Sequence, residues 1–122
     1  MKISLKVEGS DAILKKFKKF GDEGTKVVAD ITEIYAKEIE ADAKRNAPVD
    51  TGKLQQNIAA EKFNENTWYI TAYERYATFV EFGTRFMASR PFLYLAFRGK
   101  SKTYVKDLNK ALERLTNKFN SK

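Results

Sequence analysis

Three groups of residues in this chain could carry chemistry. Asp50-Thr51-Gly52 is the Asp-Thr-Gly triplet of aspartic proteases, whose two carboxylates share one proton at close range. Glu38 and Asp42 stand one helical turn apart and could share a hard cation such as Mg²⁺. Lys102, Lys106 and Lys110, with Arg114 beyond them, recur at four-residue intervals that could follow a phosphate backbone. Each group also has a plainer explanation. A long helical pattern runs into the triplet and Lys53 follows it, where a lysine would disturb a shared proton. Pro48, Asp50, Thr51 and Gly52 then read as a structural turn between helices. The acidic pair has no third ligand at a metal-binding spacing and reads as a solvated face. Gly52-Lys53 lacks the upstream glycine of a phosphate loop, and Asp50 with Glu61-Lys62 lacks the acid-x-lysine spacing of metal nucleases.

Composition narrows the field further. The 122 residues contain no His and no Cys, which removes the commonest general base, thiolate zinc sites and disulfides. What remains points to no enzyme and no cofactor. No apolar run approaches the ~20 residues of a membrane span, so no membrane contact is expected, and the length suits a single domain over 1–122. The net charge of +7 is unevenly spread. Residues 1–84 hold 13 basic and 14 acidic side chains, and residues 85–122 hold 10 basic against Asp107 and Glu113. Such asymmetry suits an acidic partner, DNA or protein, or else a solvated basic helix.

The elements that would position these residues follow from periodicity. Period-two alternation predicts a strand over Lys2–Glu8. Ser10 or Asp11 caps a short helix to about Phe20. A long helix from about Glu23 to Asn46 carries the stripe Val27, Val28, Ile31, Ile34, Tyr35 and Ile39, and Pro48 stops it. Lys53–Asn57 makes one helical turn. Ile58–Phe63 and Thr67–Ala72 form a hairpin around Asn64-Glu65-Asn66, with Asn suited to a left-handed conformation. Tyr76–Phe82 forms a short helix ended by Gly83, and Pro91 opens another with Ser89 as its cap. Arg98-Gly99-Lys100-Ser101 interrupts that helix, and a last basic helix covers about Thr103–Asn117 with Val105, Leu108, Leu112 and Leu115 inward. The predicted class is α+β: an N-terminal strand, a long helix, a hairpin completing a small antiparallel sheet packed by helices, and a basic C-terminal helix.

Tyr76, Phe79, Val80 and Phe82 exceed what a seven-residue helix needs for one buried face. Either that helix is central to the core or some rings face a partner. Glu81 among them would need a cation, for which Arg85 and Arg90 are the candidates. Phe86 and Met87 on a polar loop mark an exposed apolar contact. The expected subunit or partner interface is therefore Tyr76, Phe79, Glu81, Arg85, Phe86, Met87 and Arg90, framed by Gly83, Pro91 and Phe92. Tyr104 and Phe119 are interleaved with the basic ridge that could follow a phosphate backbone.

Three blocks carry a resemblance: Ala47-Pro48-Val49-Asp50-Thr51-Gly52-Lys53-Leu54; Tyr76-Ala77-Thr78-Phe79-Val80-Glu81-Phe82-Gly83-Thr84; and Pro91-Phe92-Leu93 followed by Ala96. Over about residues 25–120 the chain resembles the small tail-component proteins of long-tailed phages and prophages, typified by gene product ten of an HK-type lambdoid phage. The resemblance implies a structural virion protein for tail completion or head–tail joining. It implies a ring, of six subunits, contacting the connector, tail terminator or tail tube, and assembled in the host bacterial cytoplasm from subunits that stay monomeric in isolation. The basic helix would meet an acidic ring surface or DNA. The alternative is a small basic nucleic-acid-binding protein without sequence preference.

Overall fold

Ile3, Leu5 and Val7 alternate with Ser4, Lys6 and Glu8, which gives strand β1 (Ile3–Glu8) one apolar face. In the computed structural model, which describes residues 2–48 and 52–120, that face turns toward the core. Helix α1 (Asp11–Lys18) follows, capped as expected by the Ser10 hydroxyl, which accepts from the Ile13 amide at 3.2 Å. Helix α2 (Gly21–Asn46) is long and ends where Pro48 requires it, with Ala47 extended at ψ 141°. A single turn, α3 (Lys53–Gln56), leads into β2 (Ile58–Asn64) and β3 (Thr67–Ala72). Helix α4 (Ala77–Phe82) and helix α5 (Phe92–Asn120) complete the chain.

The sheet has the order β1-β3-β2 and is antiparallel throughout. Its central strand β3 is the most buried, with Trp68, Ile70 and Ala72 inward as their alternation predicts. The C-terminal half of α2 (Ala36, Ile39, Ala43) and the start of α5 (Phe92, Leu93, Ala96) pack on that face. A second cluster joins Phe17 of α1, Val28 and Tyr35 of α2, and Tyr104, Leu108, Ala111 and Leu115 of α5. The two long helices therefore run antiparallel. The α+β class and its element order are those the periodicity implies.

Several local expectations are corrected. Ile34 is 54% exposed, while Thr32 is buried in its place; position 34 lies about 200° around the helix from 32. The Thr32 hydroxyl is satisfied by the Val28 carbonyl at 2.8 Å and Tyr104 Oη at 2.7 Å. Val105 is likewise exposed, and Tyr104 takes the inward position. The hairpin turn is Glu65-Asn66, tightened by an irregular register between Lys62 and Asn64. Its asparagines are not left-handed, since no non-glycine residue described has positive φ. Asn64 acts instead through its side chain, accepting the Asn66 amide at 2.9 Å. Finally, Arg98–Ser101 does not interrupt α5, which is continuous over 29 residues.

Candidate functional site

The Tyr76–Arg90 segment is built around one carboxylate. Glu81, at the buried side of α4, is 5% exposed. Its Oε1 accepts the Leu93 amide at 2.9 Å and its Oε2 the Tyr94 amide at 3.1 Å. These are first-turn amides of α5 that have no intrahelical partner. Glu81 thus caps a neighbouring helix, in the region where the dipole favours negative charge. The expected pairing with Arg85 or Arg90 is not made. The guanidinium of Arg85 lies over the Phe86 ring at 5.1 Å, and the Arg90 backbone amide donates to the Val80 carbonyl at 2.7 Å. Nor does Ser89 cap α5: the Glu81 carboxylate has that role, while the Pro91 carbonyl accepts the first helical bond from the Leu95 amide.

Gly83 ends α4 at φ 77°, ψ 177°. A Cβ there would stand 2.8 Å from the Ser89 nitrogen and 2.9 Å from the Met87 oxygen, so glycine is required by both conformation and space. The following loop is a tight turn. Thr84 and Met87 exchange backbone hydrogen bonds at 2.8 and 3.3 Å, and Thr84 Oγ1 accepts the Phe86 amide at 3.1 Å. Phe86 is held at its tip, 88% exposed.

Beside this turn lies a groove of about 440 Å³ lined by Pro48, Lys53, Glu74, Tyr76, Phe79, Val80, Met87 and Arg90. Tyr76, Phe79, Met87 and Arg90 from the expected interface thus share one wall system. Arg85 and Phe86 are exposed outside it, and Glu81 is buried beneath as a cap. The helix serves both purposes: Ala77 and Val80 face the core, while Tyr76, Phe79 and Phe82 are exposed. Phe82, 70% exposed, belongs with the apolar surface; the excess of aromatics on so short a helix was its only signal. Pro91 and Phe92 are structural, and Phe92 is fully buried. Gly52 is left-handed at φ 76° and precedes α3. Asp50 and Thr51 lie outside the described residues, and so does any geometry of the Asp-Thr-Gly triplet.

Of the other candidate chemistry, the acidic pair is taken up by ion pairs and the basic ridge is left exposed. Lys100 Nζ lies 3.8 Å from Glu38 and 3.7 Å from Asp42, so a lysine occupies the place proposed for a cation, and Asp42 also meets Arg45. Lys102, Lys106, Lys110 and Arg114 are exposed and make no ion pair with any described residue. The interleaved aromatics do not accompany them. Tyr104 is buried on Thr32, and Phe119 packs against Phe20 with ring centroids 5.2 Å apart. No helix among the described residues is long and apolar enough to cross a membrane.

Neither a search of curated proteins nor one of solved structures finds a significant match to the chain. A family model does match, over residues 11–83. The match takes in the Ala47–Leu54 block and ends at the Gly83 that closes α4; the Pro91–Leu93 block lies beyond it. Its description reads "Bacteriophage HK97-gp10, putative tail-component". Because the model spans more than half of the 122 residues, the chain belongs to the HK97-gp10-like family of phage tail components.

Proposed function

We propose that this tail component acts at the head–tail junction or upper tail end, completing the tail or joining it to the head. It does so as a non-enzymatic subunit of a ring, taken as six-fold, that contacts the connector, tail terminator or tail tube. It would be assembled in the host bacterial cytoplasm and retained in the virion. The observation that supports this reading is the apolar surface of α4 and the Thr84–Met87 turn. Phe82 and Phe86 are 70% and 88% exposed, yet they stand on a backbone fixed by the Glu81 cap and by Gly83. Large rings presented from a fixed backbone suit a docking surface, because little backbone ordering entropy remains to be lost on contact.

The test is complementation of a phage deleted for this gene, with electron microscopy of the lysates. Full heads beside free tails establish a joining or completion role, and missing or over-long tails place the protein in tail assembly. Normal virions sink the reading. A Phe86→Ser, Met87→Ser variant is expected to keep its fold, with stability within about 0.5 kcal/mol of the parent as for surface positions, and to fail in complementation. Unfolding would instead make these core residues.

The exposed ridge Lys102, Lys106, Lys110 and Arg114 supports a second reading, phosphate contact with nucleic acid. With Tyr104 buried and Phe119 set against Phe20, such binding would be electrostatic and steeply salt-dependent. Absence of duplex binding at low salt would eliminate it.

A further inference from the structure

The two edges of the sheet are treated differently. In the β2–β3 ladder the Tyr73 amide donates to the Asn57 carbonyl at 2.9 Å in the same register. That fixes the alternation of antiparallel bonding, so Ile58, Ala60 and Lys62 turn their backbone groups outward from β2. The Ala60 amide is not left open, because Glu40 of α2 accepts it at 2.5 Å. By the same alternation β3 bonds to Ile3, Leu5 and Val7 of β1. The amides and carbonyls of Ser4, Lys6 and Glu8 therefore face outward. None of these outward groups bonds to any described residue. Ile3 and Leu5 on the core face are only partly buried.

We infer that the β1 edge pairs with β1 of a second copy of this chain, antiparallel about a two-fold axis at Leu5, making one continuous sheet. Charge pattern and strand length together select the partner and the register. With Leu5 opposite itself, Lys2 faces Glu8 of the second copy, Lys6 faces Ser4, and Ile3 faces Val7. A shift of one residue per strand toward the C-terminus places Lys6 opposite Lys6. The opposite shift places Lys2 opposite Lys6. Like charges directly across a ladder are destabilising and opposite ones favourable. An axis at Val7 would also set opposite charges across the ladder, Lys6 facing Glu8, but β1 ends at Glu8, so only residues 6–8 of each strand could pair. Edge charges ordinarily repel a second strand; here Glu8, which in its own chain holds Lys6 at 3.2 Å and the Thr67 hydroxyl at 2.7 Å, would take Lys2 of the second copy as a further partner. The contact is isologous and closes at two copies. It therefore describes the soluble form, a dimer in place of the monomer the resemblance implies, and it is independent of the ring contact proposed for the aromatic surface.

Sedimentation equilibrium of the full chain is expected to give twice the 14.0 kDa chain mass. Lys6→Pro removes one outward amide at a position where an edge strand tolerates proline. It should sediment as a monomer with an unchanged circular dichroism spectrum. The chain has no cysteine, so single thiols report the register directly. In Leu5→Cys the two Cα atoms would form a non-hydrogen-bonded pair about 4.5 Å apart, within the ~4.4–6.8 Å of a disulfide. Mild oxidation should link it into a covalent dimer. In Ile3→Cys the thiols would sit four residues out of register, roughly 13 Å apart at ~3.3 Å per residue, and should stay reduced. A wild-type monomer at all concentrations overturns the inference. So does a folded Lys6→Pro dimer, or equal linking of both cysteine variants. A dimer abolished by Phe86→Ser, Met87→Ser and not by Lys6→Pro would move the contact to the aromatic surface.

Discussion

Glu81 joins two elements through two hydrogen bonds, because both of its oxygens take amides of α5 while its own backbone belongs to α4. A buried donor left without its acceptor costs about 1–3 kcal/mol, and loss of a helix cap about 1 kcal/mol. Glu81→Ala is therefore expected to lower unfolding free energy by about 2 kcal/mol in urea titration. Glu81→Gln, which keeps one acceptor oxygen, should lose roughly half of that. An alanine variant as stable as the parent would show that the cap holds nothing. The sequence marks Glu81 correctly as a buried charge among apolar neighbours. It does not reveal the partner, because backbone amides freed by a helix start twelve residues on have no side-chain signature.

At the level of elements, α5 shows why a local breaker can fail. Arg98-Gly99-Lys100-Ser101 has the composition of a loop, yet the helix passes through it. The inward positions Phe92, Leu93 and Ala96 bury against the sheet, and Tyr104, Leu108, Ala111 and Leu115 against α1 and α2. Both ends are anchored in phase, and Lys100 between them reaches Glu38 and Asp42. Tertiary packing outweighs the roughly 1 kcal/mol that a mid-helix glycine costs. A Cβ at Gly99 would meet nothing within 4 Å. Gly99→Ala should consequently raise stability by about 0.5–1 kcal/mol, read as a higher urea midpoint at constant slope. A lower midpoint would mean that the helix is strained there.

Across the whole molecule, the antiparallel pairing of α2 with α5 is pinned by polar groups as well as by packing. Tyr35 donates to Asp107, and Thr32 meets Tyr104. Burial first, and the neighbouring Asp107 carboxylate second, push the Tyr35 phenol up to about 12 from its ordinary 10.0. Burial likewise raises Tyr104. A raised folded-state pKa means the folded form holds its proton more tightly. The stability so contributed is complete below pH 10 and is lost as pH rises through about 12. Urea midpoints should fall across that window, and Tyr35→Phe should make the fall shallower while lowering the midpoint at neutral pH through loss of the Asp107 bond. An unchanged alkaline slope would remove Tyr35 as its source.

Sequence alone determined the periodic and steric features. The alternation of β1 and β3, the Ser10 cap, the stop before Pro48 and the glycine closing α4 all follow from properties of neighbouring residues, and so does the α+β class. The three blocks gave the phage-tail family, and Phe86 and Met87 on a polar loop marked an exposed apolar contact, while the excess of aromatics on α4 fitted either core or surface. Only the tertiary structure decided which face of each long helix is inward, since Thr32 and Tyr104 satisfy one another there while Ile34 and Val105 are left in solvent. It also assigned Lys100 to the acidic pair, Glu81 to the start of α5 and Glu40 to the edge of β2. These choices depend on groups far apart in the chain, and a hydrogen-bonding group takes its nearest partner in space, which spacing along the sequence does not encode.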